Sequence, residues 1–101
     1  MIDNRRTTLF LMANLGSEMS QIFSFAERGR LDLALGPAER ARKIIEEIKS
    51  HKDIKGREQE VEILAKIIEN ILENKKDYNL NQGDMDEYFT PYALRLMTIN
   101  N

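Results

Sequence analysis

The sequence predicts an all-α protein, a small up-and-down helical bundle with three long helices and a short C-terminal one. Three observations carry that expectation. Apolar residues recur at steps of three and four through most of the 101 residues, and no stretch alternates apolar with polar as a strand would. Turn-forming clusters interrupt the pattern in three places: Arg28-Gly29-Arg30, the polar stretch 50–57, and the Asn-, Asp- and Gly-rich stretch 77–86. Cysteine is absent, so a composition that is 42% hydrophobic has to build the core by packing alone, without disulfides or thiolate metal sites. At this length a single domain spanning 1–101 is expected.

The first helix is expected over about 4–28, with Asp3 or Asn4 as N-cap and Gly29 as the stop. Leu9, Met12, Gly16, Met19, Phe23 and Ala26 form one stripe. At 100° per residue, Leu11, Leu15, Ile22 and Phe25 fill the neighbouring arc. Together they cover about half the circumference, against the stripe of roughly 100° that a simple surface helix needs. Glu18 alone interrupts that arc.

The second helix is expected over about 33–51. Asp32 is one candidate cap, and Gly36 followed by Pro37 is another. Its apolar stripe is narrow (Ala34, Ala38, Ala41, Ile45, Ile48), and its outer face carries i,i+4 pairs such as Glu39–Lys43. The third helix is expected over about 57–76, where Val61, Leu64, Ala65, Ile68, Ile71 and Leu72 form a stripe that Ile63 and Ile67 widen to about 200°. A single long, kinked helix in place of the second and third is the alternative. A loop over 77–86 follows, and Thr90-Pro91 suits the cap and first residue of a short helix over about 91–98.

The surplus apolar arc of the first and third helices sets the functional expectation, a non-catalytic helical interaction or adaptor module. It is expected to form a homodimer, the commonest closed oligomer, or to bind a partner protein. The interface residues are Leu11, Leu15, Glu18, Ile22, Phe25, Ile63 and Ile67, with Glu18 setting the register.

Two other classes compete. Nucleic acid is an alternative partner for the basic segment 28–57, through Arg28, Arg30, Arg40, Arg42 and Lys43. Against it, Glu39, Glu46, Glu47 and Asp53 interleave with those cations and no aromatics accompany them for base stacking. Charge is uneven along the chain: 11 basic and 8 acidic residues over 1–57 give +3, while 4 and 9 over 58–101 give −5.

A small-ligand or metal-binding bundle is the other alternative. Glu58 with Glu62, and Glu69 with Glu73, have helical pair spacing, but they lie opposite the apolar arc and are expected to face water. Glu18 beside Met12, Met19 and Phe23 is a candidate ligand-recognising acid in an adaptable pocket. Asp77, Asn79 and Asn81 start a calcium-loop pattern that fails at Gln82 and Tyr88. No cofactor and no metal are expected.

His51 is the sole histidine, and Gly-rich phosphate loops are absent, which leaves little from which to compose a catalytic site. Arg5 and Arg6 precede an apolar stretch, Leu9 to Leu15, but Asn14 interrupts it and no small-residue cleavage site follows. A cytoplasmic protein with no membrane segment is the expectation.

Overall fold

A computed structural model describes residues 7–51 and 57–99. It contains four helices: α1 (Thr8–Glu27), α2 (Leu31–Lys49), α3 (Glu58–Leu72) and α4 (Gln82–Ile99). Asp3 and Asn4, the expected caps of the first helix, lie outside the described residues. Within them, Thr7 caps α1, its hydroxyl accepting from the Phe10 N–H at 3.1 Å.

Both α1 and α3 end in the same way. At Gly29 (φ +73°) the chain turns left-handed, and the N–H groups of Gly29 and Arg30 donate to the carbonyls of Ala26 and Phe25. After α3, Asn74 takes the left-handed role (φ +57°), with Asn74 and Lys75 donating to Ile71 and Asn70. This six-residue closure satisfies carbonyls that the helix end would otherwise orphan. It also reverses the chain, so α1 with α2 and α3 with α4 each run antiparallel.

The core is one cluster drawn from all four helices. Leu11, Met12, Leu15, Met19 and Ile22 of α1 are fully buried, as are Ala34, Ala38, Ala41 and Ile48 of α2 and Val61 and Ile68 of α3. The three alanines let α2 lie close on α1. α1 is the central helix, packed along its length by α2 on one side and α4 on the other, while α3 rests mainly on α2. Arg42 clamps α2 to α3 by a two-pronged bridge to Glu69 at 2.8 and 2.9 Å, and Lys49 pairs with Glu62 further along. The Lys49 partner holds the Glu62 carboxyl below the usual carboxylate range, and Glu62 in turn holds the ammonium up.

The last helix is longer than expected. It spans Gln82–Ile99 and runs through Pro91, where a short helix over about 91–98 and a loop over 77–86 were expected. Its start is fixed by a reciprocal cap: Asn81 N–H donates to Asp84 at 2.9 Å, and Asp84 N–H donates back to Asn81 at 2.8 Å. Two further contacts tie this start to α1, as Gln82 donates from its backbone to Glu27 (2.7 Å) and from its side chain to Ser20 (3.0 Å). Met85 and Phe89 are then buried against α1. That tertiary burial outweighs the helix-breaking preference of Pro91, whose missing N–H removes one helical hydrogen bond. Pro37 is likewise accommodated inside α2.

Candidate interaction groove

α1, α2, α3 and α4 form an up-and-down arrangement, yet the ring is not closed. α3 and α4 barely meet along their backbones. The gap between them is a groove of about 450 Å³ lined by Gln59, Glu60, Ile63, Leu64, Ile67, Met85 and Tyr88. Leu64, Ile67 and Met85 form its floor and are closed from solvent, whereas Ile63 on its lip is 46% exposed.

The two sides of α4 differ in how closely they are approached. Where α4 meets α1, the partner of Phe89 is Gly16, and a Cβ built on Gly16 would lie 2.6 Å from the Phe89 Cβ. With no side chain at Gly16 the two helices approach closely. Where α4 faces α3, Ile63 and Tyr88 line the gap. A polar latch closes one end. Arg57, at the start of α3, donates to the Tyr92 hydroxyl at 3.0 Å and lies over its ring, and that hydroxyl donates to Glu60 at 3.3 Å.

Tyr88 stands inside this wall, edge-on to Phe89 with ring centroids 4.8 Å apart. Its hydroxyl is buried with no hydrogen-bond partner among the described residues. Burial pushes the phenol well above the usual tyrosine range, and neighbouring Glu60 and Tyr92 act in the same direction.

The fold disperses the residues expected to form a self-association surface. Leu11, Leu15 and Ile22 are fully buried within one chain, Ile67 is 4% exposed and Phe25 is partly buried, so these residues do not form an outer face. The physical reason is the length of α4, which covers the arc of α1 that appeared surplus. Of the seven residues, Ile63 alone is an exposed hydrophobic. Glu18, expected to set the register, is engaged within the chain: both its carboxylate oxygens accept from Arg40 of α2 at 3.1 Å. Met12, Met19 and Phe23 beside it are buried core residues.

The five basic residues of the nucleic-acid alternative are all engaged within the chain. Arg28 bonds Ser24 and stacks on Phe25, Arg30 pairs with Asp32, Arg40 with Glu18, Arg42 with Glu69 and Lys43 with Glu39. Asp77, first in the calcium-loop pattern, is held by Asn70, which donates to its carboxylate at 2.8 Å and accepts its N–H at 3.1 Å. Among the described residues no three His, Asp or Glu side chains gather as metal ligands. Nor is any helix among them long and apolar enough to cross a membrane.

A second cleft, about 440 Å³, lies where the α1–α2 turn meets the 73–81 connection, between Phe23, Leu31, Ile71 and the Lys75–Lys76 pair. It is walled largely by the connection, whereas the α3–α4 groove is walled by helices, which position side chains more firmly.

Sequence reasoning missed Glu60, Met85 and Tyr88 as groove residues. A signal for the two α4 residues was present, because Met85, Tyr88, Phe89 and Tyr92 keep helical spacing across Thr90-Pro91. Compared with protein-family models, curated proteins and solved structures, the chain matches none.

Proposed function

We propose that the protein is a non-catalytic helical interaction module, acting in the cytoplasm, whose working surface is the groove between α3 and α4. The observation that carries this reading is Ile63, a large aliphatic side chain 46% exposed above an apolar floor, at the one place where the four-helix ring stays open. Helices of another chain would complete the ring there. They would bury Ile63, cover the Tyr88 wall and exclude water from the floor, the usual source of helix–helix affinity.

The exposed leucines of α2 serve as the internal control. Leu33 is 43% exposed, comparable with Ile63, but it lines none of the clefts described above. The test is the apparent mass of the full chain, purified and in lysate of cells that express it, for wild type, Ile63→Lys and Leu33→Lys. An assembly larger than 11.8 kDa is expected for wild type and Leu33→Lys and is expected to be lost in Ile63→Lys. Assembly that survives Ile63→Lys, or a monomer in both settings, would overturn the reading.

A further inference from the structure

We infer that the cleft where the α1–α2 turn meets the 73–81 connection is a binding site for a small amphipathic carboxylate, an apolar body carrying one acid group. The inference does not rest on the α3–α4 groove, although Ile67 lines both.

The cleft measures about 440 Å³, within the range of pockets that hold small ligands. Its apolar lining comes from several elements. Phe23 of α1 and Ile67 of α3 are closed from solvent, and half-buried Leu31 of α2 lines the same space. Tyr78 and Leu80 of the connection are each more than a third exposed. An apolar ligand body would cover those two side chains against a floor that the fold has already desolvated.

Charge along the connection is sorted between two clefts. Residues 73–81 contain four charged side chains: Glu73, Lys75, Lys76 and Asp77. Both lysines line the apolar cleft, whereas both acids line the neighbouring one, beside Lys66 and Glu69. Lys75 borders the two clefts and pairs with Glu73 at 3.7 Å. Lys76 is therefore the lining cation that makes no ion pair among the described residues. Glu27, the one acid in the lining, already accepts the Gln82 N–H at 2.7 Å. Asn74 and Asn79 add side-chain amides that make no hydrogen bond among the described residues. One unpaired ammonium and two unspent amides beside an apolar floor match a single carboxylate on an apolar body. A cationic ligand would meet Lys76 instead, and a fully apolar one would cover these donors without giving them an acceptor.

The walls are held in place. Asn70 brackets Asp77, donating to its carboxylate and accepting its N–H, and Asn81 is fixed by its reciprocal cap with Asp84. Tyr78, Asn79 and Leu80 lie between those anchors, and Lys76 lies between Asp77 and the left-handed closure at Asn74. A ligand there has little chain left to order, which favours binding.

The test is an amide NMR titration of the full chain with octanoate, octanol, octylammonium and acetate. Octanoate is expected to bind with a Kd on the order of 0.1–1 mM, the affinity of about ten well-placed non-hydrogen atoms. The shifted amides are expected to centre on Leu31 and on residues 74–80. Octanol, which lacks the charge, and acetate, which lacks the body, are each expected to bind at least about tenfold more weakly. Lys76→Gln is expected to weaken octanoate about tenfold and to leave octanol unchanged, whereas Leu80→Ser weakens both. Both positions are exposed, and circular dichroism confirms that each variant is helical.

Octanol or octylammonium binding as tightly as octanoate would refute the carboxylate, as would an octanoate affinity indifferent to Lys76→Gln. Shifts centred on Met85 and Tyr88 would place the ligand in the α3–α4 groove and refute the site. The absence of any saturable shift up to the solubility of octanoate would refute both site and ligand.

Discussion

α4 is packed in two different ways on its two sides, and the contrast separates a sealed face from an open one. On the α1 side, Phe89 sits over Gly16 and is 4% exposed, Met85 is 5% exposed, and Gln82 bonds Ser20 and Glu27. On the α3 side the same helix offers Tyr88, whose hydroxyl has no hydrogen-bond partner among the described residues, across a groove from half-exposed Ile63. One side is closed by a glycine. The other stays open between Ile63 and Tyr88, and the polar latch of Arg57, Tyr92 and Glu60 bridges only its end.

The largest break in this comparison comes from Phe89→Ala, which empties the sealed side. It is expected to cost about 3–5 kcal/mol, the range for deleting a buried aromatic ring, read as a large fall in the urea midpoint. Next is Gly16→Ala. Its new Cβ meets the near end of Phe89, which cannot swing away, so α4 must move. Overpacking of about 1–3 kcal/mol is offset by the roughly 1 kcal/mol that alanine contributes to helix propensity, and a net loss of up to about 2 kcal/mol is expected. A stabilised Gly16→Ala protein would show that the close approach is not what seats α4.

On the open side the effects shrink and change sign. Tyr88→Phe removes the unpartnered hydroxyl and is expected to stabilise the chain by about 1 kcal/mol. It also carries a pH signature. The folded phenol titrates above its unfolded value near 10, so its contribution is complete below pH 10 and is lost as pH rises beyond it. Wild type is therefore expected to lose stability in alkali more steeply than Tyr88→Phe, measured by denaturant midpoints alongside tyrosinate absorbance. Ile63→Ala is the smallest. At dilute concentration it is expected to cost about 0.5 kcal/mol, because half-burial is lost while alanine favours the helix. A loss as large as that of Phe89→Ala would mean that Ile63 is a core residue and the groove a flaw in packing.

Much of the fold was legible from local pattern. The periods through Val61, Leu64 and Ile68, and through Ala34, Ala38 and Ala41, are short-range facts, and these residues are the buried ones. Gly29 was legible as a stop because a left-handed residue favours glycine there, and φ is +73°. Asn74 does the same work after α3 but had no comparable signal, since asparagine is common in any turn. The candidate site was legible only in part. Ile63 and Ile67 were named, but with residues that the fold buries elsewhere.

What the sequence determined by itself is the helical class, the three long amphipathic segments and the two broad apolar arcs, because each follows from the spacing of residues a few positions apart. Tertiary structure decided the rest. Gln82 to Thr90 became helix because Met85 and Phe89 found α1, a contact across the length of the chain that no local propensity encodes. α4 lies close on α1 because Gly16 faces Phe89, while Ile63 of α3 is left half-exposed across the gap from Tyr88. Such pairings set the distance between helices, and they exist only once residues remote in sequence have been brought together.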